Sequence, residues 1–152
     1  MYDIKKLKPT KKSRYQQGYI NPQSCKKLYE SQKTRPIIYR SSYEKKFVQF
    51  LESNKHVSRW GSECIPIPYV DAYDKTTHQY FPDYVAEIDG VTYLFEIKPH
   101  NQCVKPSPHL PKDCYAWKTY IKNVSKWNAA KQFAKDNGLV FQIITEETIK
   151  RL

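Results

Sequence analysis

No stretch of this 152-residue sequence approaches the roughly 18 consecutive apolar residues of a membrane span. None lays out the broad Leu/Phe face of an interfacial helix, so a membrane partner is not expected. The opening residues, MYDIKKLKPTKK, lack the apolar core of a secretory signal, and export is not expected either. The four cysteines, Cys25, Cys64, Cys103 and Cys114, include no pair at the two-residue spacing of zinc knuckles and ribbons. In a chain read as intracellular they are expected to be free thiols. His100, Cys103, His109 and Cys114 do share one proline-rich segment, and spacing leaves open whether they bind zinc or merely sit in a loop. There is no internal repeat and no RNA-binding motif.

Acid is scarce beside base: 26 Lys and Arg stand against 15 Asp and Glu, a formal charge of +11. That balance points to a polyanionic partner, of which nucleic acid is the commonest. The length suits one domain with a real core plus an arm. Residues 1–39 are rich in Lys and Arg against Asp3 and Glu30, and Pro9, Gly18, Pro22 and Pro36 interrupt any helical or strand period. They are expected to be a basic arm, extended or simply solvated, ahead of a domain over residues 40–152. Lys5, Lys6, Lys8, Lys11, Lys12, Arg14, Lys26 and Lys27, with Arg40 at the boundary, are the candidate DNA-backbone contacts. Tyr2, Tyr15, Tyr19, Tyr29 and Tyr39 interleave with them to stack or pack.

From Ser41 the pattern changes. SSYEKKFVQFLESN places Tyr43, Phe47, Phe50 and Leu51 at helical spacing, with Ser41 and Glu44 related as in a capping box. Glu63–Val70 reads as an edge or irregular strand, and residues 71–79 as a loop. Residues 81–100, FPDYVAEIDGVTYLFEIKPH, form a hairpin about Asp89-Gly90, the strongest short-range hairpin signal. A proline-rich loop follows. Helical spacing returns at Trp117–Val124 and at Trp127–Ala134, with Ser125 placed to restart a helix and Gly138 to end it. LVFQIIT then reads as a buried strand, and a short last helix is expected to be capped by Thr145. The class is α/β (α+β).

The turn sets the register. With Ile88 facing Val91, Asp83 faces Glu96, and opposed Cβ atoms lie about 4.5–5.5 Å apart. Lys98 falls on the same face, while Tyr84, Ala86, Ile88, Val91, Tyr93, Phe95 and Ile97 make an apolar face for the core. Opposed like charges destabilise a sheet unless a cation lies between them. Lys98 supplies part of that charge, and a divalent ion would supply more; carboxylate oxygens favour Mg²⁺ or Mn²⁺ over zinc. The bland alternative is an exposed face with a Glu96–Lys98 salt bridge. Glu44 has two readings, folded back on the helix start or turned toward the sheet as a ligand. Glu63 is either a supporting acid behind the ligands, an alternative ligand or a surface hydrogen-bonding group.

Pro82-Asp83 followed by Glu96-Ile97-Lys98, behind a helix that carries Glu44, resembles the PD-(D/E)xK nuclease superfamily. More narrowly, YRSSYEKKF, WGSE, YFPDY, FEIKP, Lys126-Trp127 and FQIITE resemble the head completion nucleases of T-even-type (T4-like) tailed phages, from about Tyr39 onward. A looser resemblance is to the transposon-end-cleaving subunit of heteromeric transposases. The resemblance implies a restriction-endonuclease-like core, with a mixed four-stranded sheet flanked by helices. It also implies a Mg²⁺-dependent endonuclease, Mn²⁺ substituting, that acts on the end of packaged double-stranded DNA. Such an enzyme would work in the host cytoplasm during assembly and then at the virion head–tail junction, with portal or neck proteins as partners. By matching position, Asp83, Glu96 and Glu44 would hold the metal, and Lys98 would orient the attacking water and steady charge on the phosphate. The alternative is a non-catalytic head completion protein that grips DNA or the portal. A homodimer is compatible with the sequence, which does not specify the oligomeric state.

Overall fold

The structure, a computed structural model, describes residues 17–152; Lys5, Lys6, Lys8, Lys11, Lys12, Arg14, Tyr2 and Tyr15 lie outside the described residues. In chain order these form β1 (Gly18–Ile20), β2 (Ile37–Tyr39), α1 (Ser42–Ser53), β3 (Val57–Ser62), β4 (Ile67–Val70), β5 (Thr77–Tyr80), β6 (Tyr84–Ile88), β7 (Val91–Ile97), α2 (Tyr115–Asp136), β8 (Val140–Ile144) and α3 (Glu146–Ile149). Four of the strands make one sheet in the order β3-β6-β7-β8, antiparallel except for the parallel β7–β8 pair. This is the mixed four-stranded sheet, flanked by helices, that was expected.

Its centre is the hairpin. Asp89 and Gly90 both have positive φ, 48° and 80°, as a type I′ turn requires. The register follows: Ile88 faces Val91 and Tyr84 faces Phe95. Both faces of the sheet are covered, where one apolar face was expected. Tyr84, Ala86 and Phe95 pack with Phe47, Val48 and Leu51 of α1 and Ile149 of α3. On the other side Val85 and Leu94 pack with Ala130 and Ala134 of α2 and with Ile67, Tyr69 and Tyr80 from the β4–β5 ribbon.

Three further expectations change. The β3 strand was not anticipated, and of the strand expected over Glu63–Val70 only Ile67–Val70 is regular, paired with β5 in a ribbon outside the main sheet. Ser125 does not restart a helix, because α2 runs through it: its Oγ donates to Ile121 O at 2.8 Å and accepts the Ala72 N–H at 3.1 Å. Thr145 occupies the N-cap position of α3 without a side-chain capping bond.

The stretch 18–39, expected within an extended arm, is built into the core. Cys25, Leu28 and Ile37 are buried among Phe47, Val57 and Trp60. Residues 27–32 cover the free edge of β3: Tyr29 N–H donates to Trp60 O, Trp60 N–H donates to Lys27 O, and the Gln32 amide bonds Ser62 at both backbone groups. An unpaired edge invites pairing with another chain, and this strap removes it. Gly61 lets the strap approach, since a Cβ there would lie 2.8 Å from the Tyr29 ring. Glu52 on α1 anchors the strap by accepting the N–H groups of Lys26 and Lys27 and the Trp60 indole N–H.

Candidate active site

The hairpin ends where α1 begins, and that junction brings the acids together. Pro82 has no N–H to continue the ladder, so β6 starts at Tyr84 and Asp83 sits just before it. The Asp83 Oδ2 accepts the Ile97 N–H at 2.8 Å. Glu96 is buried, 7% exposed, and its Oε2 accepts the Tyr80 hydroxyl at 2.5 Å. Lys98 Nζ lies 3.6 Å from Glu96 Oε1. Glu44 arrives from the first turn of α1. Its N–H donates to Ser41 Oγ at 3.2 Å, the capping half of the box. Its Oε2 accepts the Arg40 N–H at 2.6 Å instead of bonding the N-cap backbone. It therefore does both things the sequence left open: it folds back on the helix start, and it faces the site.

Arg40, Glu44, Asp83, Glu96 and Lys98 line one cavity of about 230 Å³, with Ser41, Tyr43, Ile97, Pro99 and Gln102. Each acid has one oxygen tied down. Among the described residues the second oxygen of Asp83 and of Glu44 has no hydrogen bond, and that of Glu96 meets only Lys98. Burial pushes all three carboxyls above their ordinary range. Asp83 is pushed further by Glu96 and Glu44, and Glu44 by Glu63 and Glu96, although the Arg40 N–H pulls Glu44 back. Glu96 is pulled back in part by Lys98, Tyr80 and Lys126. Among the described residues the Tyr84 hydroxyl, buried beside Glu44 and Asp83, has no hydrogen-bond partner. The three carboxyls share the cavity without an oxygen of each coming within 4.8 Å of the others, and carboxylates with free oxygens are the donor type that a hard divalent cation prefers.

Glu63 takes the hydrogen-bonding role. It follows β3 with φ 48°, and its backbone N–H donates to Asp83 O at 3.0 Å. Its carboxylate holds the Arg40 guanidinium, Nη1 to Oε1 at 2.8 Å, and it does not line the cavity. Lys26 is exposed beside a separate cavity against α1, and Lys27 Nζ bonds the Asn54 carbonyl. Neither reaches the carboxylates. All four cysteines are free, and His100, Cys103, His109 and Cys114 do not converge as a ligand set among the described residues.

Among those residues, the metal-type group whose ligand atoms all lie within 4.8 Å of one another is Asp71, Asp74 and His78. It has a local explanation in the loop between β4 and β5. Asp71 Oδ1 accepts the Tyr73 N–H, and Asp74 Oδ1 accepts the Thr76 N–H and hydroxyl. The Thr76 hydroxyl is the main reason the Asp74 carboxyl is lowered to about 2.

Spacing gives no role to two residues that the fold brings to the carboxylate site. Tyr80, at the end of β5, fixes Glu96. Lys126, on α2, is half-buried with its amine 5.6 Å from the Tyr80 ring centroid. Both belong to segments that carry the resemblance, YFPDY and Lys126-Trp127, which is where a signal lies.

A family model described as TnsA-like endonuclease N terminal matches residues 54–146, which include Asp83, Glu96 and Lys98. The head completion nuclease of Enterobacteria phage T4 is 33% identical over 130 residues, covering 78% of this chain and 84% of that protein.

Proposed function

The chain belongs to the TnsA-like endonuclease family, and from that premise we propose that it is a metal-dependent DNA endonuclease acting during completion of a phage head. One observation carries the reading. Glu44 from α1, Asp83 just before β6, Glu96 in β7 and Lys98 just after it line a single cavity in which three carboxyls are held above their ordinary range.

Asp83, Glu96 and Glu44 are the residues that would hold Mg²⁺ or Mn²⁺. Bound there, the ion would lower the pKa of a water and polarise the phosphoryl oxygen. The chain's own groups do the rest. Ile97 N–H and Tyr80 Oη lock one oxygen of Asp83 and of Glu96, so neither carboxylate rotates away from the cavity. Lys98 orients the attacking water and sets positive charge where the phosphate becomes more negative as hydroxide adds, before the P–O bond breaks and its electrons leave with the departing oxygen. Arg40, braced by Glu63, adds charge at the rim for the neighbouring backbone. The basic residues before the domain supply non-specific affinity, which makes binding strongly salt-dependent. On this reading the substrate is the end of packaged duplex DNA, and the partners are proteins of the head and neck.

Incubating the full chain with supercoiled plasmid, with and without Mg²⁺ or Mn²⁺, tests the proposal. Nicked or linear product is expected only with the ion. No cleavage with either ion would overturn the reading.

A further inference from the structure

The first turns of α2 carry a charge pattern that the active site does not absorb. Lys118, Lys122 and Lys126 follow one another at four-residue intervals, each about 6 Å further along the helix axis, so they form a single row. The helix holds two more lysines, Lys131 and Lys135, on the opposite face, and one acid, Asp136 at its last position. Like charges four residues apart destabilise a helix by a few tenths of a kcal/mol per pair. A row of three with no acid interposed therefore costs stability in the free chain.

The row lines a groove of about 450 Å³ between α2 and the loop that joins β4 to β5. Tyr73 stands on the facing wall, with Lys118 Nζ 5.2 Å from its ring centroid. Asp71 and Asp74 share that wall, but both carboxylates are engaged: Asp71 accepts the Tyr73 N–H, and Asp74 is held by Thr76 and His78. Lys118 and Lys122 are exposed. At the inner end Lys126 sits over the Tyr80 ring, and the Tyr80 hydroxyl donates to Glu96. The row thus ends at Tyr80, whose hydroxyl holds Glu96, without Lys126 itself lining the carboxylate cavity.

We propose that this groove is a track for the phosphodiester backbone of DNA beside the scissile bond, with Lys118 and Lys122 contacting phosphates and Lys126 joining the track to the active site. It rests on the nuclease reading above. The step between successive lysines is of the order of the spacing between neighbouring phosphates on one strand. A row of lysines offers point charges without base-edge recognition, so the contact is independent of sequence.

The test is the salt dependence of binding to a short duplex oligonucleotide, read by fluorescence anisotropy in EDTA so that no cleavage intervenes. Three proteins are compared: the full chain, Lys118→Gln/Lys122→Gln, and Lys131→Gln/Lys135→Gln, which removes the same charge from the opposite face. Each lost phosphate contact flattens the slope of log K against log salt by about 0.9. The groove variant is expected to lose about 1.8 from the slope, and the opposite-face variant to keep the full chain's value. Matching melting temperatures show that all three are folded. Equal slopes for the two variants, from a protein that still cuts plasmid, overturn the groove and leave the nuclease reading standing. A full chain that neither binds nor cuts DNA overturns both.

Discussion

Asp83 is fastened across the hairpin to Ile97, whose backbone N–H donates to its Oδ2 at 2.8 Å. The bond joins the residue before one strand to the residue between Glu96 and Lys98, so one contact holds the first acid against the other two functional groups. Burial and the neighbouring Glu96 and Glu44 then raise the Asp83 carboxyl, and the energetic consequences can be measured.

Asp83→Asn keeps an oxygen for the Ile97 N–H and removes the charge. The metal-free variant is expected to be more stable than the full chain by on the order of 1 kcal/mol, or about 2 to 4 °C in melting temperature for a domain this size. Its Mg²⁺-dependent cleavage is expected to fall roughly 10²- to 10³-fold. Thermal melting in EDTA and a plasmid assay check the two halves. A destabilised variant would show that the Asp83 charge is a structural asset.

The pH dependence has a definite sign. Glu44, Asp83 and Glu96 are raised in the folded chain, against roughly 4 when unfolded. The folded state therefore binds more protons, and these groups contribute stability that is present below about pH 4 and lost as pH rises through their folded values. A Mg²⁺ ion held by these carboxylates would have to displace those protons. Its stabilising effect on the melting temperature is expected to grow with pH across the same interval, and an increment that is equal at every pH would contradict the shared carboxylate site.

Lys98 is assigned to the water and the phosphate rather than to the ion. Lys98→Gln is expected to lower cleavage about 10²-fold or more while the Mg²⁺ concentration for half-maximal rate stays near that of the full chain. Metal titrations of cleavage rate separate the two effects. A large shift in metal requirement with little loss of maximal rate would give Lys98 a different role.

Much of this geometry is legible in the sequence itself, because a two-residue Asp-Gly turn allows one register, which runs from Ile88 facing Val91 to Tyr84 facing Phe95, the pair next to Asp83 and Glu96. The missing parts lack local patterns. In β3, a bulge between Val57 and Arg59 shifts the register against β6 and breaks the alternation that would announce a strand. The strap over residues 18–39 is held by scattered anchors, Cys25, Leu28 and Ile37, and by Glu52 and Gln32, none of which makes a period. Ser125 reads as a helix start, yet its hydroxyl is satisfied within the helix by Ile121. Lys126 joins the site only through tertiary packing of a helix distant in the chain, and Tyr80, three residues before Asp83, reaches Glu96 from the end of a separate ribbon.

The strap makes its own prediction. Gly61→Ala places a methyl group 2.8 Å from Tyr29 and 3.0 Å from Cys64 Sγ, and is expected to cost about 1 to 3 kcal/mol by overpacking. Urea unfolding measures it. A neutral result would mean that residues 27–32 shift without loss and contribute little to closing the β3 edge.

The most direct test of the central claim is a crystal of the full chain soaked in Mn²⁺, with the ion located by its anomalous signal. Mn²⁺ is expected between Asp83 and Glu96, within reach of Glu44. An ion held instead by Asp71, Asp74 and His78, in a protein that still cuts DNA, would contradict it.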